Sequence, residues 1–368
     1  MVQLRRDSTG ITVVKAAVMD IAPWGDDPQL RRIHTVQAIL QGLADWDIST
    51  KFVVCGLRGP EVVVRDFEFP ALPPEEIEGA VQLEVSQICP FLAEESTLDY
   101  QVTLNTDQKT MGFWVAATNS LIENTRQLVS EAGLQCVLAD VAGLALLNLL
   151  NCGLKEAADD NPIPVGRAND APAEAGAEIQ DPPSTSPGSD DRSRAAVLNL
   201  GDSCATIAIA DHAGRPFVRD IACSVLADGR PSMAAARRGT SGSFSAEDGW
   251  AARNNYRSVT SDALVEDVAT TLRYYAAQNG SVRVDRLLVC GGSPDAGESM
   301  EMLRMKLNIE VEPWDPTVDC GFRTEDRESK KPLDANSQSE MQSPKPILDP
   351  AIYGPSMAVA AGLAMRQV

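Results

Sequence analysis

The chain has 368 residues, of which 44% are hydrophobic, and it carries a formal net charge of −20. This length allows two domains, each with a core of its own. The negative charge argues against non-specific nucleic-acid binding, which needs basic surface to displace counterions, and against direct adsorption to an anionic membrane.

Cysteine and histidine usage indicates a reduced protein without a zinc site. The chain has eight scattered cysteines and two histidines, and it has no C-x-x-C pair. Such cysteines are typical of core positions in a reducing compartment, and two histidines make a Cys/His zinc site improbable.

The sequence also predicts that the protein has neither a signal peptide nor a membrane span. Its first residues contain no apolar leader. The longest apolar stretch, residues 137–154, is interrupted by Asp140, Asn148 and Asn151. It falls short of the ~20 apolar residues that cross a bilayer, so we expect a buried helix there.

Strands and helices alternate along residues 1–154, which we predict to form a first lobe. The predicted strands are 10–19, 52–57, 61–69, 100–104, 111–117 and 136–138. The predicted helices are 30–43, 74–89, 120–133 and 141–150, the last capped by Asp140. Alternation of this kind is typical of α/β domains.

The helix at 74–89 is the best defined of these elements. Ile77, Val81 and Val85 recur at helical spacing and predict a buried stripe. Pro74 suits the first turn, where its missing N–H costs nothing, and Pro90 ends the helix because the residue before a proline is pushed out of helical geometry. With the strand before it and the hairpin after it, this helix predicts a small α/β unit.

Residues 195–368 repeat the α/β pattern, and we predict a second lobe. The predicted strands are two within 195–211, then 215–225, 284–290 and 309–312. The predicted helices are 262–279, capped by Asp262, then 298–307 and 355–367. Three segments, 155–194, 229–257 and 323–345, are poor in large apolar residues. We expect them to be disordered, the first of them as a linker between the lobes.

Two glycine turns are candidate ligand sites. Gly201, Ser203 and Thr206 lie in or beside a turn between two strands, whose N–H groups could cradle a phosphate. The second turn, Gly291-Gly292-Ser293, ends an apolar strand, so a base and ribose could approach its backbone closely. A plain structural turn is the alternative in both cases. Two distant histidines support no Ser-His-Asp or Cys-His arrangement, so we predict no catalytic residue.

The order of several motifs resembles that of PilM-type type IV pilus assembly proteins, which are actin-like relatives of FtsA. These motifs are Phe69-Pro70, the acidic helix 74–89, Cys89-Pro90-Phe91, Asp99-Tyr100, Leu272-Arg273-Tyr274-Tyr275 and the small-residue helix 357–366. The resemblance covers about 52–154, 195–221 and 262–366. It implies an α/β, actin-like two-lobed fold of duplicated ribonuclease H-like domains, with a small SHS2-like subdomain inserted at about 58–117.

The resemblance also implies a nucleotide site, for ATP or ADP with Mg²⁺, which this sequence carries in degenerate form. Gly201, Ser203 and Thr206 would contact phosphates, and Gly291, Gly292 and Ser293 would contact the adenosine. Asn199 stands where the family has an aspartate. Only Asp7, in the run 6–10, matches the first phosphate loop, and Ala246-Glu247 lacks the lysine of the base-binding helix. We therefore expect weak or absent ATP hydrolysis.

The family further implies a cytoplasmic scaffold of a type IV pilus or related secretion assembly. It would bind the short cytoplasmic tail of a PilN-like inner-membrane protein in a groove beside the inserted subdomain, and it would not insert into the membrane itself. The alternatives are an active actin-superfamily ATPase and an FtsA-like division tether. Asn199 opposes the first, and the second needs a basic amphipathic C-terminal helix that residues 362–368 do not provide.

Overall fold

The first lobe contains two small sheets. The computed structural model describes residues 1–7, 10–23, 27–156, 194–201, 204–210, 215–222, 261–279, 282–291, 296–324 and 357–365. β1 (Val2–Asp7) and β2 (Gly10–Ala16) form an antiparallel hairpin, and β13 (Arg323–Thr324) adds to β2 in parallel. β3 (Phe52–Leu57) and β7 (Gln135–Val141) form a separate parallel pair. Within the described residues, no strand hydrogen-bonds β1 to β3.

Two capped helices cover the β3–β7 pair. α1 (Pro28–Asp45) begins after Asp27, whose carboxylate accepts hydrogen bonds from the N–H groups of the first turn. α3 (Asn119–Glu131) begins after Thr118, whose hydroxyl caps it in the same way, and the chain turns away at Gly133 with a φ of 74°. A small apolar cluster that includes Cys55, Val129 and Leu134 lies under these helices.

The inserted subdomain forms a layer of its own. β4 (Val62–Pro70), β6 (Lys109–Thr118) and β5 (Ser96–Asn105) make an antiparallel sheet in that order. α2 (Pro74–Ile88) packs on it because the predicted stripe of Ile77, Val81 and Val85 is buried against Phe67 and Trp114. The Trp114 indole N–H donates to Glu84 Oε1 at 3.2 Å, which satisfies the buried ring's polar group.

The second lobe is built on one continuous five-stranded sheet. β8 (Ala195–Leu200), β9 (Cys204–Ala210), β10 (Pro216–Ala222), β11 (Arg286–Gly291) and β12 (Glu310–Pro313) lie in the order β10-β9-β8-β11-β12. The first three are antiparallel, and β8, β11 and β12 are parallel. The central strands are almost wholly buried because helices cover both faces.

Two helices, α4 (Ala142–Glu156) and α8 (Ala358–Ala364), pack against each other between the lobes on one face of this sheet, and α8 also contacts β1 and β3. The other face is covered by α5 (Ser261–Gln278) and α6 (Ala296–Lys306), and the short α7 (Pro316–Asp319) follows β12. α4 and α8 cross so closely that a side-chain carbon on Gly362 would lie 2.1 Å from the Ala145 carbonyl oxygen. Glycine is therefore required at this crossing.

Several boundaries differ from those predicted. Asp140, predicted to cap α4, lies in β7 two residues before that helix begins, and its carboxylate accepts from the adjacent Val141 N–H at 2.7 Å. Asp262 likewise lies inside the first turn of α5, after Ser261. The segment 323–345, expected to be disordered, begins with β13, whose backbone pairs with the edge of β2. Residues 157–193, 229–257 and 325–345 of the three low-complexity segments lie outside the described residues.

No helix in the part of the chain that the structure describes is both long and apolar enough to cross a membrane.

Candidate functional site

A row of polar side chains crosses the second-lobe sheet on the face that carries α4 and α8. Asp220 on β10, Thr206 on β9, Asn199 on β8 and Cys290 on β11 are direct cross-strand partners. Direct partners project to the same face of a sheet, so these four side chains lie side by side. Their neighbours on this face belong to the apolar cluster under α4 and α8. The row is therefore a polar feature within an otherwise apolar interior.

Asn199 occupies the centre of this row. Its side chain is buried, and its Oδ1 accepts from the Cys290 thiol at 3.7 Å. Burial raises the pKa of the Cys290 thiol, so this group stays protonated. Neither side chain supplies a negative charge at the place where the resemblance expects a carboxylate.

Thr206 has no spare donor. It is 1% exposed, and its hydroxyl donates to Asp220 Oδ1 at 2.6 Å. The hydroxyl that the sequence analysis assigned to a phosphate is thus engaged inside the sheet.

Asp220 connects the second lobe to the link between β3 and β4. Its Oδ2 accepts from the Gly59 backbone N–H at 2.5 Å, and Gly59 adopts a φ of 100°, which suits glycine. Burial raises the pKa of the Asp220 carboxyl, while the hydrogen bonds from Thr206 and Gly59 and the positive charge of Arg58 oppose that rise. The carboxylate is therefore held by the Thr206 hydroxyl, the Gly59 N–H, the Cys204 thiol and the charge of Arg58.

The glycine turn between β8 and β9 is tight and lies near Arg58. The Gly201 N–H donates to the Cys204 carbonyl oxygen at 3.2 Å, which closes the turn. A side-chain carbon on Gly201 would lie 2.9 Å from that oxygen and 3.1 Å from Nη1 of Arg58. Arg58 therefore brings a guanidinium from the first lobe to the predicted phosphate turn. Ser203 lies outside the described residues.

Gly291 lies beside the same turn. It pairs with Leu200, the residue before Gly201, because the carboxyl ends of parallel strands meet at one edge of a sheet. Its φ is 119°, and a side-chain carbon there would lie 2.1 Å from the Leu200 carbonyl oxygen, so the close approach of β11 to β8 accounts for glycine. The structure thus brings Gly201, Thr206 and Gly291 together. Gly292 and Ser293 lie outside the described residues.

No pattern in the sequence marks Arg58, Gly59 and Asp220 as site residues. Arg58 lies at the predicted start of the subdomain, and Asp220 lies within a predicted strand. Only the register of β9 and β10 places Asp220 opposite Thr206, and only the lobe arrangement brings Gly59 to it. Asp7, which the resemblance matches to a first phosphate loop, pairs with Gly10 at the end of the β1–β2 hairpin.

A second polar contact fixes the inserted subdomain on the first lobe. Glu61 Oε1 accepts from the Thr118 hydroxyl at 2.8 Å and from the Ser120 hydroxyl at 3.1 Å. Asn119 accepts from the Thr97 hydroxyl at 2.8 Å and donates to the Glu94 carbonyl oxygen at 3.1 Å. These bonds join the root of the subdomain to the start of α3.

Apolar side chains are exposed near this junction. Ile88 at the end of α2 is 54% exposed, and Leu92 in the following loop is 59% exposed. Leu92 lies two residues before Glu94, which takes part in the junction. Leu83, on the outer side of α2, is 62% exposed. Exposed apolar groups of this kind can serve as anchor points for a peptide.

A metal site is not evident in the described ranges, since no three His, Cys, Asp or Glu side chains are grouped there as metal ligands would be.

The comparisons with known proteins point to one family. Residues 1–161 match the family model for the type IV pilus assembly protein PilM. No curated protein matches the chain in sequence. The solved PilM–PilN type IV pilus biogenesis complex is 17% identical, with 99% of this chain and 94% of that chain covered and a TM-score of 0.61. At that identity the likeness concerns the fold, and it confirms the predicted actin-like, two-lobed α/β architecture with an inserted subdomain.

Two further structures are more distant. One is the cytoplasmic domain of EpsL, an inner-membrane component of the Vibrio cholerae type II secretion system, which is 10% identical over 77% of each chain with a TM-score of 0.39. The other is a Bacteroides thetaiotaomicron protein with an actin-like ATPase fold, which is 11% identical over 87% of this chain and 93% of that one, with a TM-score of 0.38.

Proposed function

We propose that the chain is a cytoplasmic scaffold of a type IV pilus or related secretion assembly, because its residues 1–161 match the family model for the type IV pilus assembly protein PilM. The proposed partner is the short cytoplasmic tail of a PilN-like inner-membrane protein. The similar solved structure, a complex of PilM with PilN, supports this choice. The observation that carries the proposal is that the family match includes the whole inserted subdomain and its junction with the first lobe.

The tail binds beside that junction in this proposal. Leu92 is exposed two residues before Glu94, whose carbonyl oxygen accepts from Asn119, and Ile88 at the end of α2 is also exposed. An extended or helical tail can place apolar anchors on such surface. The partner also accounts for localisation at the inner membrane. The scaffold's own charge of −20 repels anionic lipid, so a protein contact has to hold it there.

The nucleotide site is proposed to be degenerate. Gly201 and Gly291 lie at the same edge of the sheet, and Arg58 brings a cation to 3.1 Å from the side-chain position of Gly201, which would favour an anionic phosphate there. The row does not fit a magnesium ion, because Asn199 and Cys290 are neutral and Asp220 is engaged with Thr206 and Gly59. ATP or ADP would therefore be bound without efficient hydrolysis.

Binding of the tail is the direct test of the scaffold. The probe is a fluorescently labelled peptide with the cytoplasmic sequence of a PilN-like protein, and its anisotropy is followed during titration. Leu92→Asp is expected to weaken binding about tenfold or more, because a charge would replace a buried anchor. Met305→Asp is the matched control, because Met305 is an exposed apolar residue on α6 of the second lobe, and this variant should bind like the parent. Equal affinity of all three proteins, or no binding by the parent, would contradict the proposal.

Turnover of ATP separates the scaffold from the alternative enzyme. The purified protein is expected to release phosphate no faster than a Thr206→Val variant, with or without Mg²⁺. Brisk magnesium-dependent turnover that the variant abolishes would favour an active ATPase.

A further inference from the structure

Helix α1 exposes an apolar stripe on the side that faces away from the first lobe. This outer stripe consists of Leu30, Ile33, Gln37, Leu40 and Ala44. Leu30, Ile33 and Leu40 are 37%, 51% and 46% exposed. At about 3.6 residues per turn the stripe lies opposite Ile39 and Gly42, through which α1 packs on the first lobe. The described residues therefore cover one side of α1 and leave the outer stripe open.

The spacing of the outer stripe is that of a helix that packs against another helix. Its positions alternate by three and four residues, so they recur about every 3.5 residues and stay against a partner helix along their whole length. A helix that only covers a sheet needs one apolar side, which α1 already has in Ile39 and Leu43. A polar residue within such a stripe, as Gln37 is here, fixes the register of the two helices. The outer stripe therefore indicates a helical partner.

The outer stripe is nearly symmetric about Gln37. Ile33 and Leu40 lie four and three positions from it, and Leu30 and Ala44 each lie seven positions from it. In an antiparallel pair of α1 helices that cross at Gln37, Leu40 of each copy would meet Ile33 of the other, and Leu30 would meet Ala44. The two Gln37 amides would meet at the axis, where each can donate to the other. The stripe is thus complementary to itself.

The charges at the two ends of α1 favour this antiparallel arrangement. Arg31 lies near the start of the helix and Asp45 is its last residue, and both are exposed on the same flank of the outer stripe. The dipole of the helix disfavours each charge at its own end. Antiparallel helices would bring Arg31 of each copy beside Asp45 of the other, whereas parallel helices would set like charges side by side.

We propose that α1 pairs with α1 of a second copy of this chain, antiparallel and about a twofold axis at Gln37, and so joins two molecules through their first lobes. Arg32 of α1 contacts Glu131 at the end of α3, whereas the inserted subdomain joins the start of α3 through Asn119. The pair would therefore leave the proposed site for the tail accessible. A dimer presents two such sites, and two linked contacts hold a membrane surface more firmly than one.

The expected dimer is weak. A single pair of helices buries less surface than a standard protein interface, and two molecules with a charge of −20 each repel one another. We expect a dissociation constant on the order of tens of micromolar. At the low micromolar concentrations of an unfolding or peptide-binding experiment the protein would then be a monomer.

Sedimentation equilibrium of the whole chain, between about 1 and 300 µM, measures this dissociation constant. Leu40→Asp places a charge in the outer stripe of both copies and should weaken the dimer about tenfold or more. Met305→Asp, at another exposed apolar position on a helix, is the matched control and should dimerise like the parent. A parent that stays monomeric at the highest concentration, or equal dimerisation by all three proteins, would overturn the proposal.

A charge exchange tests the antiparallel arrangement. Arg31→Glu and Asp45→Arg should each weaken the dimer about fivefold, and the double variant should restore it, because the pairs form again with opposite sign. Both substitutions suit the helix dipole, so a weaker dimer would not come from loss of α1. Single variants that match the parent, or a double variant that stays weak, would contradict this arrangement. Each variant should bind the tail peptide like the parent, which separates failure of the dimer from failure of the scaffold.

Discussion

The two lobes differ in how completely their sheets are closed. In the second lobe, β8 hydrogen-bonds both the antiparallel hairpin and the parallel pair, which gives one sheet of five strands. In the first, the hairpin β1–β2 and the pair β3–β7 are not joined by any strand among the described residues. α8 packs against both pieces, and Lys15 on β2 pairs with Asp47, which lies just after α1. Backbone hydrogen bonds join all five strands of the second-lobe sheet, whereas the two small sheets of the first lobe are connected through side-chain contacts.

The helices that cover the two lobes also differ in how many side chains they bury. α5 of the second lobe buries Leu264, Val265, Val268 and Tyr275 against the sheet. In α1 of the first lobe the one buried residue is Gly42, while Ile33 is 51% exposed and Leu40 46% exposed. The second lobe is therefore the rigid base of the molecule, and the first lobe depends on α4 and α8 for its arrangement.

The largest expected effect is the loss of stability caused by a substitution in the core of the second lobe. Leu198 on β8 is fully buried, so Leu198→Ala should lower the free energy of unfolding by about 2–5 kcal/mol. Leu40→Ala on α1 is the counterpart in the first lobe and should change it by less than about 0.5 kcal/mol. Urea unfolding followed by circular dichroism measures both. Equal losses would show that the lobes are equally well packed.

Next in size is the crossing of α4 and α8. Gly362→Ala forces a methyl group against the Ala145 carbonyl and should destabilise the protein by about 1–3 kcal/mol. Gly79→Ala on α2 is the matched control. Nothing lies within 4 Å of its side-chain position, so that change should stabilise by up to about 1 kcal/mol. A neutral Gly362→Ala would mean that the crossing is not needed to join the lobes.

The pH dependence of stability tests the contact between the lobes. Because burial raises the folded-state pKa of Asp220, the folded protein binds a proton there more tightly than the unfolded chain does. The contribution of Asp220 to the free energy of unfolding is therefore fully present below its ordinary pKa of 3.8, and it is lost as the pH rises through the higher folded-state pKa. The amide of Asp220→Asn does not ionise, so the free energy of unfolding of this variant should rise relative to that of the parent as the pH increases. Parallel stability profiles of the two proteins would contradict the assignment.

The smallest effect is expected at the surface of the first lobe. Arg32 on α1 makes a bidentate pair with Glu131 on α3, with Nη2 and Oε1 2.7 Å apart. Both groups are exposed, so solvent and salt screen the attraction. Arg32→Gln should lower the midpoint of thermal unfolding only slightly, and the difference should vanish at high salt. A large, salt-independent loss would indicate that this pair, and not α8, holds the first lobe.

The sequence predicted the local elements well and the lobe contacts poorly. α2 follows from its apolar spacing and the two flanking prolines, since both signals are local. β1 is not among the strands predicted from the sequence, because most of its residues are polar, and its pairing with β2 makes it a strand. At the candidate site, Gly201 and Thr206 carry a recognisable turn pattern. Asp220 and Gly59 meet across 161 positions of the chain, and no local pattern encodes that contact. The domain boundaries remain predictions.

Membrane recruitment through the partner's tail is the central claim, and co-sedimentation tests it most directly. Liposomes of physiological anionic lipid content are prepared with and without the partner's cytoplasmic peptide on their surface. The protein, with its charge of −20, should stay in the supernatant with bare liposomes and pellet with those that display the peptide. Leu92→Asp should remain in the supernatant in both cases. Sedimentation with bare anionic liposomes at physiological salt, or no sedimentation with the peptide-bearing ones, would contradict the account.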